Sequence, residues 1–214
     1  MTSTAYSAQG TKIKVATGTG SAKSITGIAV GSPTIITSAA HGLDNGDVVT
    51  LSGLTGTDAA TLNGLTVVVT NKTTNTFAVD VDTTGKTITA SGTATPVTFT
   101  KIANVKSFNG LDGSASEIDV TNLDSTAKEN RAGLSDPGQF VLEVEADESD
   151  AGQQAVLAAY QSVPPQIKQY QVNLPNGKTV TFNAWVKKFS RQGGVDAVVK
   201  GSIDLRITGP YTIA

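Results

Sequence analysis

Apolar and polar positions alternate in short runs along most of this chain, and one stretch switches to helical spacing. In QFVLEVE (139–145), Phe140, Leu142 and Val144 point one way, and Gln139, Val141, Glu143 and Glu145 the other. In VDAVVKGSIDLRIT, Val195, Ala197, Val199, Ile203, Leu205 and Ile207 share one face, and Asp196, Val198, Lys200, Ser202, Asp204 and Arg206 share the opposite one. Both runs predict antiparallel strands with a core face and a wet face. IKQYQVNL and TVTFNAWVKKF flank Pro175-Asn176-Gly177-Lys178 and predict a hairpin, with Trp185 as a core anchor or a subunit contact. The exception is DESDAGQQAVLAAYQS, where Ala155, Val156, Ala159 and Tyr160 recur at helical spacing. Asp147 or Ser149 is suited to cap that helix, Glu148 and Asp150 suit its positive end, and Pro164-Pro165 stop it.

Upstream of QFVLEVE, the run TFTKIANVKSF (98–108) reads as one strand. A polar connection, 110–138, then separates it from the next. Structureless connections beyond about 12–15 residues are uncommon in compact domains and usually carry function. This one holds Glu117, Asp119, Val120, Leu123, Asp124, Lys128, Glu129 and Arg131, with charges alternating in sign among Ser, Thr and Asn. Such a composition suits reaching across to another subunit better than closing over a substrate.

Ile102-Ala103-Asn104-Val105, Ser116 to Ser125 (SEIDVTNLDS) and Gly133-Leu134-Ser135-Asp136-Pro137-Gly138 resemble, in that order, the tail tube proteins of long-tailed bacteriophages. Gln153-Gln154-Ala155-Val156-Leu157, Leu174 to Lys178 and Phe182-Asn183-Ala184-Trp185-Val186 continue the likeness, which covers roughly 1–20 and 97–214. The resemblance implies a mainly β fold, an antiparallel barrel or sandwich with one helix on its outside. It also implies hexameric rings of this chain stacking into a hollow virion tube through which double-stranded DNA passes without specific binding. Tape measure, tail tip and terminator proteins are the further partners implied. The 110–138 loop becomes an inter-subunit or inter-ring bridge, and Glu143, Glu145, Asp196 and Asp204 become candidates for lumen carboxylates. Lys200 and Arg206 share that face and reduce its net field.

The chain changes character near Ala22 and again near Pro96. Between them, turn signals such as Asn45-Gly46 and Asn63-Gly64 separate short strand candidates at Thr34–Ser38, Val48–Ser52, Leu65–Val69, Thr76–Val81 and Thr87–Thr89. The expected organisation is a tube domain of 1–21 and 97–214, with a small all-β domain of 22–96 inserted in one of its loops and placed on the outer surface. Loop-closure entropy grows by only about 0.6 kcal/mol per doubling of length, so a folded insert with neighbouring ends is tolerated. His41, the only histidine, stands at a turn without the partners that catalysis or a metal requires.

Composition narrows the function classes. The 214 residues carry a net charge of −2, so no basic footprint for gripping nucleic acid stands out. The absence of cysteine removes disulfides and thiolate metal sites. No secretory signal pattern opens the chain, and no run reaches the ~20 apolar residues of a membrane helix. The expectation is assembly in the host cytoplasm with no membrane insertion and no cofactor. No phosphate-binding glycine loop or nucleophile elbow is present, so an enzyme is not expected. The alternatives are a cell-surface or virion β-sandwich adhesin or sugar-binding protein, and the tube protein of a contractile injection apparatus. An inserted domain projecting outwards would obstruct a close-fitting sheath, which favours a non-contractile tail.

Overall fold

A computed structural model describes Ala5 and residues 7–214. Residues 1–4 and 6 of the expected 1–21 segment lie outside the described residues. The chain divides into two compact units: residues 1–100 with 171–181 and 212–214, and residues 101–170 with 182–211. Among the described residues the strand pairs with a defined register are antiparallel, no sheet closes on itself, and the fold is mainly β with one α-helix. The open, sandwich-like sheets agree with the expected mainly β, antiparallel fold with one helix.

In the first unit lie β1 (Lys12–Thr19), β2 (Lys23–Ser24), β3 (Gly27–Ala29), β4 (Thr34–Thr37), β5 (Val48–Ser52), β6 (Thr66–Val68), β7 (Thr76–Val79) and β8 (Thr93–Lys101), whose last residue begins the second unit. One sheet runs β6-β5-β8-β1 with β2 along β8, and a second runs β3-β4-β7. Val48↔Val68 and Ile36↔Phe77 set the registers. The apolar residues of these strands face one another, so Ile25, Ile36, Leu51, Leu62, Phe77 and Ala94 bury in one hydrophobic cluster whose members all fall between 25 and 94. Thr87–Thr89 is not a strand: only Thr89 bridges, to Thr55. Its backbone lies close against Gly56, where a Cβ would come within 2.5 Å of Thr87 O.

In the second unit lie β9 (Val105–Gly110), β10 (Ser114–Asp119), β11 (Asn130–Asp136), β12 (Gln139–Glu145), the helix α1 (Ala151–Gln161), and most of β13 (Ile167–Asn173), β14 (Thr179–Gln192) and β15 (Lys200–Ile213). The sheet order is β14-β15-β12-β9. Phe140↔Leu205 and Leu142↔Ile203 place the apolar halves of the two alternating runs on one side. A string of aromatic rings, Phe108–Phe140–Phe182–Tyr170, crosses this core at centroid spacings of 5.9, 5.3 and 5.9 Å. Burial pushes the Tyr170 phenol well above its ordinary pKa.

Three expectations are corrected here. The run 98–108 is not one strand: Asn104 takes a left-handed conformation (φ 58°) and separates β8 from β9. The break is held by the helix start, where Asp150 Oδ1 accepts from Ala103 N at 3.2 Å and Gln153 Nε2 donates to Ala103 O at 3.1 Å. The cap of α1 is Asp150, which accepts from Gln153 N at 2.8 Å, while Asp147 instead accepts from Ser149 N at 2.9 Å in the preceding turn. Lastly, β15 begins at Lys200, not Val195. Residues 193–199 form a loop with Asp196 at φ 58°, and Val195 is 95 % exposed. An alternating pattern makes a strand only where a neighbour supplies a ladder, and β12 ends at Glu145, opposite Lys200.

Candidate assembly surfaces

The 110–138 connection is a β-hairpin rather than a structureless loop. Ser114↔Asp136 pair at its base and Asp119↔Asn130 toward its tip, with a register shift between Ala115 and Glu117. Short polar side chains close the tip, as expected of Asx- and ST-type turns. Asp119 Oδ1 accepts from Thr121 N at 2.9 Å, Asn122 Oδ1 from Asp124 N at 2.8 Å, and Thr121 Oγ1 from Glu129 N at 3.0 Å. The hydroxyl and backbone N–H of Thr121 hold the Asp119 carboxyl below its usual range.

All the residues singled out in the connection sit on this hairpin: Glu117 and Asp119 on β10, Val120, Leu123, Asp124, Lys128 and Glu129 at the tip, and Arg131 on β11. None of their charged side chains forms an ion pair among the described residues. Glu117, Asp119 and every other β10 side chain are exposed. Leu123 is 106 % exposed and Leu134 91 %. The hairpin is thus a polar ribbon carrying two bare leucines.

The wet face of the second unit's sheet is the other surface. The register sets Glu143 opposite Ser202, Glu145 opposite Lys200 and Val141 opposite Asp204. Glu143, Glu145 and Asp204 therefore share one face, as their alternation predicts, whereas Asp196 sits in the 193–199 loop and is not a member of that strand face. Glu143 accepts from Ser107 Oγ at 2.9 Å, Glu145 pairs with Lys106 at 2.7 Å, and Asp204 accepts from Ser202 Oγ at 2.9 Å. Lys106, Glu143, Ser190, Gln192, Lys200 and Ser202 line a groove of about 520 Å³ there. The face is polar and mixed in sign.

Two clusters escape a reading of local sequence. Gln153 is buried and donates to Ala103 O and Glu145 O (3.1 and 2.9 Å) while accepting from Asp147 N at 3.0 Å, which ties α1 to two strand ends. At the hairpin base, Asp136 accepts from Gly138 N at 2.9 Å and pairs with Arg206, 70 residues away. The Gly138 N–H first, and Arg206 after it, hold the Asp136 carboxyl below its usual range. Only the sheet register brings Arg206 to this corner, opposite Gln139.

His41 is buried in the first unit. Its Nδ1 accepts from Leu43 N at 3.0 Å, Nε2 lies 3.3 Å from Thr76 O, and its ring meets Phe77 edge-on. It supports a turn. Among the described residues no cluster of His, Asp and Glu is placed to hold a metal ion, and no helix is long and apolar enough to cross a membrane.

The chain was compared with known proteins. The family described as "Phage tail tube, TTP, lambda-like" matches residues 66–169, from β6 into β13. Two solved structures are similar. One is titled "Virion of native gene transfer agent (GTA) particle" (15 % identity, 54 % of this chain and 88 % of that one, TM-score 0.46). The other is "Tail of empty GTA particle computed with helical refinement, C6 symmetry" (15 % identity, 54 % and 86 %, TM-score 0.45). No curated protein matches. The matched segment holds the hairpin, β12 and α1, and over those residues this mainly β, antiparallel chain is similar to the lambda-like phage tail tube family.

Proposed function

We propose that copies of this chain form hexameric rings that stack into the hollow tube of a phage tail, the conduit for genome delivery. The family match over residues 66–169 carries this reading. Two structural features support it. The β9 strand ends its sheet with an open edge, and an open edge is a template for a strand of another copy. The hairpin offers Leu123 and Leu134 to a partner, which suits a heterologous contact repeated between copies. The polar sheet face carrying Glu143, Glu145 and Asp204 is assigned to the lumen, where its mixed charge would leave phosphate neither gripped nor strongly repelled. Residues 22–96 are assigned as an inserted domain on the outside of the tube, a reading favoured by a hydrophobic cluster lying wholly within 25–94. The role is structural rather than enzymatic, with assembly in the host cytoplasm before the particle is released.

The test is electron microscopy of the purified protein as its concentration is raised from a monomeric start. The expected outcome is hollow tubes of sixfold rings with regular outward projections. Those projections should vanish when 22–96 is replaced by a short Gly-Ser linker. Compact monomers at every concentration, with and without a tail-tip template, would overturn the reading.

A further inference from the structure

The base of the β10–β11 hairpin combines positive-φ backbone with close packing. The chain enters it through Gly110 (φ 141°), Leu111 (φ 62°) and Gly113, and leaves through Pro137 and Gly138 (φ 81°). Gly110 and Gly138 take positive φ that glycine tolerates, and Leu111 takes one that most residues resist. The junction is also closely packed. A Cβ on Gly113 would lie 2.5 Å from Asp136 O, and one on Gly138 would lie 2.4 Å from Asp112 Oδ1. Two carboxylates cross the junction. Asp112 Oδ1 accepts from Gln139 N at 3.1 Å, while Asp136 accepts from Gly138 N and pairs with Arg206 of β15. Beyond this corner, the hairpin ladder to Asn130 has no side-chain hydrogen bond or ion pair to the rest of the second unit among the described residues.

We propose that this corner is a latched hinge: the Asp136–Arg206 pair, with Asp112, holds the hairpin at one angle, and releasing the pair lets the whole hairpin swing as a unit about Gly110–Gly113 and Gly138. The inference rests on the reading of the hairpin as a docking arm and says how that arm is aimed. An arm held at one angle before contact loses less conformational freedom on docking than one that must be ordered then. The latch is made of half-exposed charges, so it is weak enough to yield when a docked neighbour needs a different angle. Arg206 also belongs to the wet face of β15, alongside Asp204 and Lys200, so what happens on that face reaches the hairpin through one guanidinium.

The chain has no cysteine, so two introduced ones can be spin-labelled without background. Ser125→Cys at the tip and Lys187→Cys on β14 report the hairpin angle in unassembled protein by pulsed electron–electron distance measurement. A control pair, Gln154→Cys with Lys187→Cys, reports the body of the unit. Asp136→Asn keeps an oxygen for the Gly138 N–H and removes only the charge, and Arg206→Gln removes the other partner. The expected result is one narrow tip distance in the parent, at least a twofold broadening in both variants, an unchanged control pair, and a narrower distribution regained with Arg206→Lys. Unchanged tip widths in both variants, a broad tip distance already in the parent, or equal broadening of the control pair would each overturn the latch. The distances are read on monomers, so failure of the parent to form tubes would count against the tube reading and leave the latch measurement standing.

Discussion

The 25–94 segment and the β10–β11 hairpin are both made of short antiparallel strands rich in Thr, Ser and Gly, yet they are stabilised in opposite ways. In the first, strands of three to five residues fold back in two sheets, and apolar side chains meet in one cluster around Ile36, Leu51, Leu62 and Phe77. In the second, the strands are longer but every β10 side chain is exposed, and Leu123 and Leu134 find nothing to pack on. Isolated two-stranded hairpins are marginal in water, because a lone ribbon has no second layer to bury against. The cluster is complete within its own segment. The hairpin, with its local turn hydrogen bonds, is not, and in the proposed assembly a neighbouring copy would complete it.

That contrast yields predictions that differ sharply in size. The largest concerns the cluster. Phe77→Ala should lower hydrogen-exchange protection of the β4 and β7 amides by about 3–5 kcal/mol, since it deletes a fully buried ring. Exchange in the hairpin should not change, and a parallel loss there would mean that the two regions are not energetically separate. Next in size is Gln153→Ala, which leaves the carbonyls of Ala103 and Glu145 and the Asp147 N–H without their buried partner. A loss of about 1–3 kcal/mol in urea unfolding, followed through the fluorescence of Trp185, is expected. The smallest is the double variant Leu123→Ser, Leu134→Ser. Its monomer stability should stay within about 0.5 kcal/mol of the parent, as surface changes away from special contacts usually do. Its tubes should nevertheless fail to form under conditions where the parent assembles, as read by sedimentation. Normal tubes from this variant would remove the hairpin leucines from the assembly contact.

Residues that interact with near neighbours were legible before the fold was known. The alternation in 139–145 gave the strand and its faces to the residue, and four of the five strand candidates between 34 and 89 lie within two residues of the observed ends. The turn role of His41 and the stop at Pro164-Pro165 followed from local chemistry as well. Legibility failed where a distant partner decides. The pattern of 195–199 continues that of β15, but no strand runs beside it, so it is a loop and Asp196 leaves the face it was counted on. Asp150 displaced Asp147 as the helix cap because it also reaches Ala103 N, a partner 47 residues away.

By itself, the sequence determined the strand periods, the single helix, the exposed charge of 114–136 and the likeness to tail tube proteins, because each of these depends on residue type and short spacing. Tertiary structure alone decided that the polar connection is a paired hairpin, that 98–108 breaks at Asn104, and that Arg206 meets Asp136 at the hairpin base. Those outcomes turn on which backbone groups lie opposite one another once the sheets have formed, and a strand's own residues do not specify its partner's register.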